Sequence, residues 1–188
     1  MTSFDDLLPE LLDPVPVDWP ATALRRAAVL CPIVEHGGHD HLLFTKRPET
    51  LGRHAGQIGF PGGMRDGGED PTATAIRECR EELGIAPDRL RVLGALQPRA
   101  STSGIQVLCL VGRLVAGALT PDPREVERVI EVPLRELREE TRWAEKPPPY
   151  RVAGRTLPTS PHFRYRDDVI WGLTGRFTRE LVQRLERM

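Results

Sequence analysis

The sequence predicts an α/β fold in which helices cover both faces of a mixed β-sheet, an α/β/α sandwich. Three observations carry that expectation. Apolar stretches of strand length recur at 23–35, 41–47, 89–96, 105–115 and 124–132. Two long segments of helical periodicity, one after Asp70 and one from Trp171, interrupt them. The 188 residues are 39% hydrophobic, enough for one compact domain with its own core.

Taken in order, residues 1–20 read as a short helix and a proline-rich lead-in. A long strand over 23–35, a turn at His36–Asp40 and a strand over 41–47 suggest a hairpin. Asp70 suits a helix N-cap, Pro71 the first helical position and Gly84 a left-handed C-cap. Strands at 89–96 and 105–115 flank a polar loop, Gln97–Gly104, expected to face a substrate. A strand at 124–132 leads to a helix over Pro133–Glu140 and a stiff turn at Lys146–Tyr150 with three prolines. Tyr150–Leu157 and His162–Tyr165 are expected to pair as short strands. Trp171–Arg187 closes the chain as an amphipathic helix whose stripe of Leu173, Phe177, Leu181 and Leu185 faces a core. With no repeat and no linker, residues 1–188 read as a single domain.

The helix between Asp70 and Gly84 carries the chemistry. Thr72, Ile76, Cys79 and Leu83 form its apolar stripe, while Glu78, Glu81 and Glu82 share another face. Helix stability alone does not explain that face. Glu81 and Glu82 lie in the last turn, where the macrodipole disfavours negative charge, and Arg77 precedes Glu81 in the weaker order for a stabilising pair. Clustered carboxylates raise one another's pKa unless a cation neutralises them. Hard divalent ions such as Mg²⁺ or Mn²⁺ want several oxygen ligands, which this face supplies.

Upstream, Leu42–Arg47 reads as a strand ended by Pro48. Residues 51–63 then carry five glycines, which let backbone N–H groups approach an anion. Arg47, Arg53 and His54 add donors, and arginine matches phosphate by its planar fork. His54 suits a local hydrogen bond as well as a substrate contact. Pro61-Gly62-Gly63 reads as the tight turn delivering the chain to the acidic helix.

The pattern Gly63, Glu69, Arg77-Glu78-Cys79, Glu81-Glu82, Gly84-Ile85 resembles the Nudix box, over residues 63–85. Only Cys79 departs, standing where an aliphatic residue is usual. The resemblance implies the Nudix-type α/β/α sandwich and hydrolysis of a nucleoside diphosphate linked to another moiety. It implies Glu78 and Glu82 as core metal ligands and Glu81 as a further ligand or the base. It also implies Arg77 as the residue orienting a neighbouring glutamate, and Glu69 as support for the site or a ligand through water. A downstream carboxylate, Glu125, Glu127 or Glu131, is a further candidate.

Residues 43–63 are similar to the extra signature of the coenzyme A pyrophosphatase branch. Thr45, Arg47, Gly56, Phe60, Pro61, Gly62 and Gly63 match in register, and Ile170–Thr174 resembles that branch's C-terminal end. Phe44, Pro48 and Gly52 depart from it, Gly52 where a basic residue is usual, with Arg53 next door. The branch implies cleavage of coenzyme A, free, acylated or oxidised, into 3′,5′-ADP and 4′-phosphopantetheine. Arg47, Arg53, Phe60, Gly62 and Gly63 would then contact substrate. The competing expectations are a Nudix hydrolase of ADP-ribose, a dinucleotide polyphosphate or a nucleoside triphosphate, and an inert Nudix-like binding module.

Composition excludes other classes. A net charge of −1 exerts no general pull toward nucleic acid or membrane. The resemblance implies a small nucleotide as the partner, and a monomer or homodimer is expected. Cys31, Cys79 and Cys109 show no metal spacing and suggest a reducing compartment. The acidic, proline-broken start is no signal peptide, so a cytoplasmic protein is expected. No Ser/His/Asp pattern argues for a covalent nucleophile.

Overall fold

The computed structural model describes residues 4–50, 54–149 and 156–187. A short helix α1 (Phe4–Leu11) precedes β1 (Arg25–His36), the central strand of the main sheet. β2 (His39–Lys46) folds back on β1 as the expected hairpin, Ile33 opposite Leu42. Its turn residues Gly37 and Gly38 have φ of 60° and 79°, as a two-residue hairpin turn demands. On its other side β1 runs parallel to β7 (Ile105–Leu114), which pairs antiparallel with β5 (Leu90–Ala95).

Short strands complete this mixed sheet: β3 (Ile58–Gly59) and β8 (Arg128–Pro133) on β2, β4 (Gly62–Met64) on β1, and β6 (Arg99–Ala100) on β7. β1 is buried over most of its length, as a strand covered on both faces must be. One face packs Leu30, Leu43, Leu108 and Leu110 against Ala75, Cys79 and Leu83 of α2 (Pro71–Leu83). The other packs Ile33, Phe44 and Val111 against Leu8 of α1 and Phe177, Leu181 and Leu185 of α4 (Gly172–Leu185). The three cysteines are buried and free. No helix among the described residues is long and apolar enough to cross a membrane.

The second half of the chain departs from expectation. The strand expected at 124–132 begins only at Arg128. The preceding residues form a turn closed by the Glu125 and Val126 amides on the Asp122 carbonyl, at 3.0 and 2.8 Å. The helix expected over Pro133–Glu140 shrinks to the single turn α3 (Leu134–Leu137), followed by a 3₁₀ turn at Glu140–Arg142. Lys146, expected in a turn, ends strand β9 (Trp143–Lys146).

Tyr150–Leu157 was expected to pair with His162–Tyr165. Residues 150–155 lie outside the described residues, and 156 and 157 belong to no strand. Instead β10 (Ser160–Tyr165) sits between β9 and β11 (Asp168–Ile170) in a second, three-stranded sheet. Trp143 and Phe163, opposite one another, explain the choice: their rings lie 5.0 Å apart, and the Trp143 indole donates to the Leu137 carbonyl at 2.9 Å. The final helix spans Gly172–Leu185 rather than 171–187, with Trp171 as its N-cap.

Candidate active site

Local chemistry sets α2 in place. Asp70 Oδ1 accepts the Ala73 amide at 2.8 Å, Pro71 opens the helix, and Gly84 at φ 66° donates to the Arg80 carbonyl at 2.9 Å. The buried face is rotated from the expected stripe. Thr72 and Ile76 are only half-buried, while Thr74, Ala75, Cys79, Leu83 and Glu82 are buried.

The reason lies across from the helix, in β4. Gly62 has φ of 149°, and a Cβ there would stand 2.4 Å from the Ala28 carbonyl oxygen. A Cβ on Gly63 would stand 2.5 Å from Glu78 Oε1. Gly62 thus lets β4 lie close on β1, and Gly63 lets α2 close on β4 with the Glu78 carboxylate, not an apolar side chain, against the strand backbone.

Arg77 is the hub of the acidic face. Its guanidinium donates to Glu69 Oε1, Glu78 Oε1 and Glu81 Oε2, each at 2.8 Å, and to the Met64 carbonyl at 3.0 Å. Glu69 is tied further by the Thr74 hydroxyl at 2.9 Å and the Asp66 amide at 3.2 Å. The Arg77 hydrogen bond, helped by Thr74 and Asp66, holds the Glu69 carboxyl at about 2. Glu81 is the most open of the three, its side chain 55% exposed.

Glu82 is the opposite case. It is 4% exposed, and its Oε2 has no hydrogen-bond partner among the described residues. Burial first, then repulsion from Glu78 and Glu125, pushes its pKa up to about 8; the Gly62 amide and Arg47 pull the other way. Burial also raises Glu78, against the pull of Arg77. Of the three downstream candidates, then, Glu125 faces the cluster. Glu127 pairs with Lys46 at 3.1 Å and Glu131 with His36 at 2.8 Å.

Among the described residues no three carboxylates stand close enough together to cage a metal ion as they are. Arg77 accounts for this by drawing Glu78 and Glu81 onto itself. The residues nonetheless fit a divalent cation: a buried carboxylate oxygen is unpartnered, the donors are hard oxygens, and Gly63 leaves the Glu78 carboxylate uncovered.

Glu82 borders a cavity of about 140 Å³ shared with Arg47, His54, Gln57, Gly62 and Thr174. Arg47 Nε is likewise buried without a partner among the described residues. His54, Gln57, Ile58 and Thr174 also line a neighbouring groove of about 550 Å³, so the two spaces adjoin. Residues 98–103 and the start of α4 form the groove's further walls, which brings the expected substrate-facing loop and the Ile170–Thr174 segment together.

Phe60 borders the small cavity but is 6% exposed and stacks on Phe44 at 4.8 Å, a floor more than a contact. His54, at φ 56°, meets Gln57 Oε1 at 2.8 Å. Arg53 lies outside the described residues. Gln57 carries no motif signal and only the fold finds it, whereas Thr174 ends the Ile170–Thr174 segment singled out in the sequence.

Known proteins agree with this architecture. Residues 24–153 match the NUDIX domain model. An uncharacterized Nudix hydrolase, NudL, of Photorhabdus laumondii is 38% identical over 165 residues, covering 86% of each chain. Its namesake in Pectobacterium atrosepticum is 36% identical over 185 residues, covering 97% of this chain and 91% of that one. A Nudix hydrolase of M. smegmatis, RenU, superposes with a TM-score of 0.52 at 22% identity, over 60% of this chain and 72% of that one, a likeness of fold. With the domain model spanning most of the chain and relatives matching it nearly end to end, this protein belongs to the Nudix family.

Proposed function

We propose that the chain is a metal-dependent pyrophosphohydrolase acting on coenzyme A or a derivative, releasing 3′,5′-ADP and 4′-phosphopantetheine. One observation supports this reading above others: Glu82 and Arg47 border the same small cavity, and Glu82 Oε2 and Arg47 Nε are both buried without a partner among the described residues. An acid and a base left unsatisfied side by side suit a ligand that brings cations to one and phosphate oxygens to the other.

In this proposal Glu78 and Glu82 would hold Mg²⁺ or Mn²⁺, with Glu125 contributing from the facing turn and Glu81 serving as a further ligand where it is not the base. When bound, the ion supplies charge neutralisation at the phosphates and Lewis acidity toward water. Arg47 binds a phosphate of the substrate by its fork. Arg77 positions Glu78 and Glu81, and Glu69 steadies Arg77. Glu81, with one oxygen on Arg77 and the other open, takes the proton of the attacking water. Gly62 and Gly63 contact substrate in this reading, Gly62 from the wall of the small cavity, and the adjoining groove of about 550 Å³ receives the organic portion of the substrate.

Coenzyme A is preferred over other nucleoside diphosphates because Thr45, Arg47, Gly56 and Phe60-Pro61-Gly62-Gly63 match that branch in register. Pro48 and Gly52, which do not, sustain ADP-ribose, dinucleotide polyphosphates and nucleoside triphosphates as the competing reading. Product analysis by chromatography, with each substrate at equal concentration and with Mg²⁺ or Mn²⁺, separates them. Release of 3′,5′-ADP from coenzyme A is expected. A strong preference for ADP-ribose would overturn the substrate assignment, and no turnover of any pyrophosphate would leave a binding module.

A further inference from the structure

The second sheet, β9–β10–β11, has an inner face on the core and an outer face on solvent. Phe163 and Tyr165 point inward, both buried. Strand alternation sends His162 and Arg164 outward, with Ala144 opposite His162 and Val169 opposite Arg164. A hollow of about 410 Å³ opens on this face, and Arg142, Lys146, His162, Arg164 and Arg166 line it.

Among the described residues no carboxylate lines the hollow. Those nearby are otherwise placed. Glu136 and Glu139 hold Arg142 from behind, at 3.1 and 2.7 Å. Glu145 alternates to the opposite face, where it borders a different cavity. Asp168 pairs with Arg128, Glu140 pairs with Arg179, and Asp167 is exposed in the β10–β11 turn. Lys146, Arg164 and Arg166 are left with no ion-pair partner among the described residues, although acids and bases nearly balance over the whole chain. Arg166 holds a left-handed φ of 54°, unusual for a residue with a Cβ, and its guanidinium lies 5.1 Å over the Tyr165 ring.

We propose that this hollow is a second anion site, separate from the carboxylate cleft, that binds a terminal phosphate group. Two arginine forks and an ammonium lining one hollow, with no carboxylate beside them among the described residues, match the several oxygens of a phosphate dianion. A concave site of this size suits a small phosphorylated molecule better than a bilayer or a duplex, which call for a broad surface. His162 stacks on Trp171 at 5.9 Å, so a side chain of the hollow also touches the wall of the large groove. The proposal stands independently of which pyrophosphate the cleft hydrolyses.

Calorimetric titration of the full chain in EDTA at low salt, with inorganic pyrophosphate and with AMP, tests it. Saturable binding of at least one is expected. It should weaken with added salt and fall about tenfold or more in Lys146→Ala/Arg164→Ala. Arg164→Gln alone should show a smaller loss, and the binding that survives Arg47→Ala in the cleft should be the binding lost in the double variant. Equal affinity for the two probes marks the phosphate alone as the recognised group, and tighter AMP marks an organic phosphomonoester. The proposal is overturned if neither probe binds, or if Arg47→Ala abolishes binding while the double variant keeps it. It is likewise overturned if a DNA duplex binds this face and the small phosphates do not.

Discussion

Replacing Glu82 with glutamine should move stability and turnover in opposite directions. Glu82 is 4% exposed, and burial with repulsion from Glu78 and Glu125 lifts its pKa from 4.5 to about 8. Between those values the folded chain keeps a proton that the unfolded chain has released. The stability this contributes, without metal, is fully present below the unfolded value and is lost as pH rises through about 8. At about 1.4 kcal/mol for each tenfold change in proton affinity, the ceiling is on the order of 5 kcal/mol. Relaxation and water entry around a buried ion reduce such penalties, and we expect about 2 kcal/mol.

The Glu82→Gln variant cannot ionise and escapes this loss. In EDTA its melting temperature should be close to wild type in mild acid and exceed it by about 4–8 °C above pH 9. Adding Mg²⁺ or Mn²⁺ should raise the wild-type melting temperature much more than the variant's, and the variant's turnover should fall about a hundredfold or more. Thermal scans across pH, with and without metal, read all three effects. A gap between the two melting curves that does not change with pH would refute the argument from burial. Near-normal turnover would refute the site.

Arg77→Ala should cut turnover at least about tenfold, because three glutamates lose their common anchor. Glu69, held at about 2 chiefly by Arg77, contributes stability that is present above its ordinary value of 4.5 and lost as pH falls through about 2. The variant's deficit in melting temperature should therefore be largest near neutrality and shrink toward the acid end; a constant deficit would contradict the assignment. Gly63→Ala meets the movable end of Glu78 and should cost activity with little stability, whereas Gly62→Ala meets the Ala28 backbone at positive φ and should cost about 2 kcal/mol or more in urea melts. The reverse ranking would mean that β4 does not cradle the carboxylates. Arg47→Ala should raise KM for the turned-over pyrophosphate more than it lowers kcat, and an unchanged KM would move phosphate binding elsewhere.

What was legible in the sequence followed from how local its physical cause is. The bounds of α2 are written in Asp70-Pro71 and Gly84, whose effects act within a turn, and the structure places the helix at Pro71–Leu83. The β1–β2 hairpin was equally local, its turn resting on Gly37-Gly38. The second sheet was not. Its strands are joined by Trp143 packing on Phe163, twenty residues away, and alternation alone does not say which neighbour a short strand will choose. The strand expected from Arg124 failed for a similar reason: Asp122 collects the Glu125 and Val126 amides into a turn that period-two patterning does not register.

The site divides along the same line. Helical spacing put Glu78, Glu81 and Glu82 on one acidic face apart from the apolar stripe, because periodicity does not distinguish carboxylates within a face. The fold separates them into unlike roles. Glu69, Glu78 and Glu81 are already balanced by Arg77, while Glu82 is turned inward against a strand that two consecutive glycines have stripped of side chains. Glu125 emerges from its neighbours for a related reason, since Lys46 and His36 have taken Glu127 and Glu131. A sequence can count charges of each sign; it cannot say which are spent on one another. What remains after that pairing, a buried carboxylate oxygen and a buried guanidinium nitrogen beside one small cavity, is the part of the acidic cluster that stability does not explain. A protein that folds around such an unmet pair pays for it whenever its ligands are absent, so metal and phosphate should stabilise wild type together more than either does alone.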